Sequence, residues 1–178
     1  MIRFVSTFIF TLLLTGFFIA QEPIFKILEK KGIEVTNKLS LKSIPDYMKN
    51  DDVIVVYTPA IPDDNIFLKY FRANGNKKIQ KRSEILGEIS KQSKCIAIAG
   101  THGKNTTTAI ISHLFHSSGI HFKAFIGGIM KCFDSNYINT GNDFILVEAD
   151  EYDRSFLNLN PNYAVITSIE SDHLDIYG

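Results

Sequence analysis

Apolar and polar positions follow two rhythms along this chain. Short apolar, β-branched runs end on glycine or acidic breaks, and most breaks lead into stretches with apolar residues three and four positions apart. Residues 23–31 read as a helix opened by Pro23 and closed by Gly32, with Ile24, Phe25, Ile27 and Leu28 on one side. Residues 33–35 could form a short strand. Residues 52–57 (DVIVVY) read as a strand buried on both faces. Asp63 and Asp64 then suit the start of a helix carrying Ile66, Phe67, Tyr70 and Phe71 and stopping near Gly75. A strand over 78–80 and a helix capped by Ser83, with Ile85, Leu86 and Ile89, follow. Residues 95–99 (CIAIA) form a second buried strand that runs into Gly100-Thr101-His102-Gly103-Lys104. The next helix carries Ile110, Ile111, Leu114 and Phe115 as far as Gly119, and residues 122–126 make a strand closed by Gly127 and Gly128. Residues 144–147 and 163–169 complete the set. This alternation predicts an α/β fold, with a mainly parallel sheet flanked by helices. The runs 95–99, 144–147 and 163–169 should be parallel neighbours in one sheet.

The first twenty residues break the rhythm. They are almost wholly apolar, with Arg3 as the one charge, and resemble a signal peptide or a membrane anchor. Lacking a glycine loop and caps, they should be helical or poorly placed, and pack little against the rest. The remainder has ordinary globular composition, with 45% hydrophobic and 21% charged residues among 178. The 19 basic and 19 acidic residues cancel, which points away from nucleic acid as a partner. Cys95 and Cys132 have neither metal-site nor disulfide-framework spacing, so two free thiols in a reducing compartment are expected.

Three strands deliver polar clusters at their C-terminal ends, where open α/β sheets bind ligands. The first is Gly100–Lys104. Glycines let the backbone turn close to a ligand, the following helix offers unpaired N–H groups to a phosphate, and a lysine at the helix start reaches the terminal phosphates of a nucleotide. The loop departs from the general phosphate-loop spacing, because Ile98 stands where a first glycine would be. The second cluster, Glu148-Ala149-Asp150-Glu151-Tyr152-Asp153, places four acids within six residues, which suits a divalent cation held beside phosphate oxygens. The third, Ser171-Asp172-His173-Leu174-Asp175, sets a histidine among acids, as a metal ligand or general base requires. Lys104, Glu148 and His173 could thus converge on one crevice.

GTHGK followed by threonines, then VEADEYDRSFLNLNP, then AVITSIESDHLDIYG, resemble the central ATP-binding domain of the Mur ligases, closest to their alanine-adding branch. The earlier VVYTPAIP and KRSEILGEI resemble the end of that family's nucleotide-sugar-binding domain. The resemblance implies a P-loop-type ATPase half-domain at 93–178, preceded by a degraded Rossmann-like domain at 22–92 and an apolar segment at 1–21. It implies an ATP-dependent ligase that joins L-alanine to UDP-N-acetylmuramate through an acyl phosphate, with ATP and Mg²⁺ as cofactors. Gly100, Thr101, His102, Gly103, Lys104, Asn105 and Thr106 would form the ATP loop, with Thr107 beside them. Lys104, Glu148 and His173 would be catalytic. Glu148 and His173 would ligate Mg²⁺, with Asn105 a weaker candidate. Thr101 and His102 would lie near the muramyl carboxylate.

Three departures qualify this. Asn105 stands where the family has a threonine or serine whose hydroxyl binds Mg²⁺. The diphosphate-binding glycine loop is replaced by residues 1–20, with only Gly16. The chain stops at Gly178, inside the central domain. A truncated or frame-disrupted copy of a cytoplasmic ligase is the expectation. A non-catalytic nucleotide-binding remnant is the alternative, and a membrane association through residues 1–20 is a third reading.

Overall fold

The computed structural model describes residues 32, 40–44, 46–49, 53–58, 61–74 and 78–171. The expectations for residues 1–20, 23–31 and 33–35, and the cluster 172–175 with His173, lie outside these. The described residues divide between two compact units, the first running to Val55 and taking in Ala60–Ile79, the second holding Val56–Pro59 and the chain from Gln80 onward.

In the first unit, helix α1 (Ile66–Ala73) buries Leu68 and Phe71. Its start differs from the expectation: Asn65 caps it, its side-chain oxygen accepting from Phe67 N at 3.0 Å and Leu68 N at 3.2 Å. Asp63 instead pairs with Arg72 at 3.0 Å on the exposed side. Strands β1 (Ile54–Tyr57) and β2 (Lys78–Lys81) form a two-stranded sheet. The expectation that β1 is buried on both faces fails, because Ile54 is 51% exposed and β2 is its one partner among the described residues.

The second unit carries the sheet that matters for function. Helix α2 (Arg82–Ser90) begins one residue before Ser83, which is buried inside it and caps nothing. The Glu84 carboxylate supplies the cap by accepting from Lys81 N at 2.6 Å. Strand β3 (Lys94–Ala99), helix α3 (Lys104–Ser117), β4 (Phe122–Met130), β5 (Ser135–Asn139), β6 (Phe144–Glu148) and β7 (Tyr163–Ile166) follow. Their order in the sheet is β5-β4-β6-β3-β7. All neighbours are parallel except β4 and β5. The expected trio of parallel strands is therefore present as β6-β3-β7. Two boundaries differ. Strand β4 runs through Gly127 and Gly128 instead of stopping there, because it turns back to pair with β5. Strand β7 ends at Ile166, not 169.

Pleating sends successive residues of β6 to opposite faces. Leu146 packs with Phe122, Ala124 and Ile126 against Ile111 and Phe115 of α3. Ile145 and Val147 pack with Cys95 against Leu86 and Ile89 of α2. A parallel sheet covered on both faces is thereby built around three fully buried residues of one strand. The apolar stripe expected on α3 is half right. Ile111 and Phe115 face the sheet, but Ile110 and Leu114 are more than half exposed, and the buried positions are Thr108 and Ser112. Their hydroxyls bond to the carbonyls of Lys104 (2.8 Å) and Thr108 (2.7 Å), which lets small polar residues pack tightly without orphaned donors.

Cys95 is fully buried and Cys132 exposed, both as free thiols. Burial pushes the Cys95 thiol up to about 11 from its ordinary value near 9.0. We expect a maleimide to modify one thiol in the native chain and two in denaturant, counted by mass. Because the unfolded thiol ionises first, stability should hold below pH 9 and fall as pH rises toward 11, read as a declining urea midpoint.

Candidate active site

The sheet's geometry places the polar clusters side by side. Ile98 of β3 is in register with Glu148 of β6, and Ala149 N donates to Ile98 O at 2.9 Å. The loop Gly100–Gly103 therefore leaves β3 next to the point where Glu148 leaves β6. Gly100 has φ of +127° and Gly103 has +84°, conformations that favour glycine. A Cβ on Gly100 would lie 2.3 Å from Thr167 Oγ1 and 2.8 Å from both Ser168 N and Ser168 O.

The segment after β7 braces this loop. Thr101 N donates to Ser168 O at 3.1 Å, and His102 N to Ser168 Oγ at 2.9 Å. Thr167 Oγ1 donates to His102 O, and Glu170 N to Thr101 Oγ1 at 3.0 Å. His102 Nε2 lies 3.6 Å from Glu170 Oε2, a largely exposed pair that adds little. With Thr101 and His102 N–H bound to the protein and the first helical bond running from Thr107 N to Gly103 O, the amides that open toward a ligand are those at the start of α3. Thr106 there is exposed and Thr107 half-buried.

Lys104 curls back over its own loop. Its Nζ donates to Gly100 O at 2.7 Å and Thr101 O at 3.4 Å. The same Nζ is 2.8 Å from each carboxylate oxygen of Glu151. Both side chains are mostly buried, at 12% and 22% exposure.

Glu148 at the end of β6 and Asp150 and Glu151 just past it do not act as one cluster. Glu148 Oε2 accepts from Gly127 N at 2.6 Å, and a Cβ on Gly127 would crowd that carboxylate at 3.1 Å. With its amide oriented to satisfy both partners, Asn105 donates into the same carboxylate, touching Oε2 and lying 2.8 Å from Oε1. Asp150 Oδ1 accepts from Tyr152 N at 3.1 Å and shapes the 3-10 turn Tyr152–Asn158. Glu151 holds Lys104. Among the described residues no three His, Cys, Asp or Glu side chains form a metal cluster. Glu148 is a hard oxygen donor of the kind Mg²⁺ takes, whereas Asn105 presents amide hydrogens to it and does not fit as a ligand in this arrangement.

Sequence reasoning singled out Lys104, Asn105 and Glu148, which lie in one region, and Thr101 and His102, which face 167–170. It missed Glu151 as the lysine's partner and Thr167 and Ser168 as the loop's brace. The signal for Glu151 was an acid in the turn just past Glu148. The signal for the brace was a strand ending on adjacent hydroxyls.

Residues 98–178 match the Mur ligase middle domain. The chain is 46% identical over 155 residues to a UDP-N-acetylmuramate–L-alanine ligase of Christiangramia forsetii, covering 86% of this chain and 34% of that protein. It is 44% identical over 165 residues to a ligase of the same name from Porphyromonas gingivalis, covering 92% and 36%. Among solved structures, the UDP-N-acetylmuramate–alanine ligase of Thermotoga maritima superposes with a TM-score of 0.74 at 31% identity, over 86% of this chain and 35% of that one. A UDP-N-acetylmuramate:L-alanyl-gamma-D-glutamyl-meso-diaminopimelate ligase from Neisseria meningitides shares the fold, with a TM-score of 0.74 at 24% identity, over 88% of this chain and 52% of that one. The chain spans about a third of the length of the curated relatives it matches.

Proposed function

We propose, from the premise that this chain belongs to the Mur ligase family through residues 98–178, that it carries the triphosphate-binding part of an ATP-dependent ligase joining L-alanine to UDP-N-acetylmuramate. The observation that carries this reading is Lys104, whose ammonium is held inside the Gly100–Gly103 turn at the N-terminus of a 14-residue helix. In the proposed reaction a carboxylate attacks the terminal phosphate of ATP, ADP leaves and an acyl phosphate forms, and an amine then displaces phosphate from it to give the amide. Carboxylate and triphosphate repel, so the protein must neutralise developing charge. Lys104 and the first amides of α3 do so from one side. A divalent cation, held by Glu148, would offset the remaining phosphate charge. His173 is proposed as a further cation ligand, and Thr101 and His102 as neighbours of the muramyl carboxylate. Residues 22–92 are proposed as a remnant of the nucleotide-sugar domain, and a cytoplasmic location fits a reaction that consumes ATP. No described helix is long and apolar enough to cross a membrane.

A fluorescent ATP analogue should bind the 178-residue chain and be displaced by ATP and by inorganic tripolyphosphate, but not by adenosine. Displacement by adenosine with none by tripolyphosphate would contradict a phosphate-reading loop. A second reading, nucleotide binding without ligation, is favoured by the Asn105–Glu148 contact, which occupies the carboxylate with amide hydrogens. Asn105→Ser removes that donor and restores a hydroxyl. We expect it to lower the Mg²⁺ concentration for half-maximal nucleotide binding on the order of tenfold, the scale seen when a metal ligand's partner is altered. An unchanged Mg²⁺ dependence would show that Asn105 does not limit cation binding.

A further inference from the structure

We infer that Glu151 is a positioning residue that keeps Lys104 folded onto its own loop and must be displaced before the lysine can serve a phosphate. The inference rests on the nucleotide reading above and adds a competitor within the site. A lysine ammonium has three donors and no acceptor. Here Nζ has acceptors in Gly100 O, Thr101 O and the Glu151 carboxylate, so its donors are already committed. The two carbonyls belong to the loop and hold the side chain in its curl. Glu151 alone brings a negative charge, at the first residue past Asp150 in a turn anchored by Asp150 Oδ1 to Tyr152 N and by Arg154 N to Glu151 O at 3.0 Å. That turn fixes the carboxylate over the ammonium. An arriving phosphate therefore meets both a committed lysine and an anion beside it. Partial burial of both side chains strengthens the pair relative to one in water.

The consequence runs opposite to that of a merely structural residue. Losing a structural contact loosens the loop and weakens binding, whereas losing a competitor tightens it. Glu151→Gln keeps the shape and an acceptor while removing the charge, Glu151→Ala removes both, and Glu151→Asp retains the charge. The 178-residue chain and these variants are titrated with the fluorescent ATP analogue. Separately, without nucleotide, Lys104 is acylated with acetic anhydride and the modified peptide quantified by mass spectrometry. Glu151→Gln and Glu151→Ala should bind roughly three- to tenfold more tightly, the range a partly buried ion pair supplies. Both should also acylate faster at Lys104, and Glu151→Asp should fall back toward the parent. Equal or weaker binding in Glu151→Gln, with an unchanged acylation rate, would overturn the inference. Faster acylation with no nucleotide bound by any variant would overturn the nucleotide reading and leave the Lys104–Glu151 contact established.

Discussion

Replacing Lys104 with alanine should remove most nucleotide affinity while leaving the fold in place. The ammonium lies at the helix start where a terminal phosphate would sit, and charged hydrogen bonds contribute about 1.5–3 kcal/mol each. A loss on the order of tenfold to more than a hundredfold follows. Alanine also removes the Lys104 charge that offsets the Glu151 carboxylate and thereby adds repulsion toward the triphosphate. Lys104→Arg keeps the charge but not the compact point geometry that fits between two carbonyls 2.7 and 3.4 Å away, so it should rescue only part of the affinity. Titration of the ATP analogue, with circular dichroism confirming that the variant is folded, checks both. Affinity unchanged in Lys104→Ala would remove the lysine from the site.

Gly100→Ala should be among the most damaging single substitutions in the second unit. The new methyl would meet Thr167 Oγ1 and the Ser168 backbone at 2.3–2.8 Å, and φ of +127° disfavours any L side chain. Thr167 is itself fixed by its amide bond to Ala99 O at 2.9 Å and by its hydroxyl bond to His102 O, so it cannot simply step aside. The loop and the segment after β7 would have to part, losing the contacts from Thr101 and His102 to Ser168. A destabilisation of about 2–4 kcal/mol is expected from strain plus lost hydrogen bonds, read as a lower urea midpoint. Nucleotide affinity should fall with it, because the braced loop is the one proposed to hold the phosphates. A midpoint equal to the parent's would mean that the loop has room the structure does not give it.

Much of the sheet was legible because parallel strands buried on both faces leave unbroken apolar runs. CIAIA and FILVE announce β3 and β6 in this way. The antiparallel hairpin was not legible. Residues 135–139 (SNYIN) bury only Ile138, so β5 has no apolar run to read, and β4 looked finished at two glycines that in fact continue the strand. Periodicity misassigned half of the α3 face because the helix approaches the sheet through Thr108 and Ser112, whose hydroxyls are satisfied within the helix and so count as core. In the site, residue types pointed to Lys104 and Glu148 as candidates for phosphate chemistry, and the structure sets them in one region. Composition could not say which acid meets which donor. That depended on the end of β6, which points Glu148 toward Gly127 and Asn105, and on the turn after it, which carries Glu151 to the lysine.

Hydrogen–deuterium exchange on the intact 178-residue chain, with and without ATP, bears most directly on whether the loop between β3 and α3 is the phosphate site. ATP should slow exchange in peptides covering residues 100–107, where the first-turn amides of α3 would gain phosphate partners, and leave the β4–β5 hairpin tip at 131–134 unchanged. Protection that appears elsewhere in the chain, with none at 100–107, would contradict the assignment.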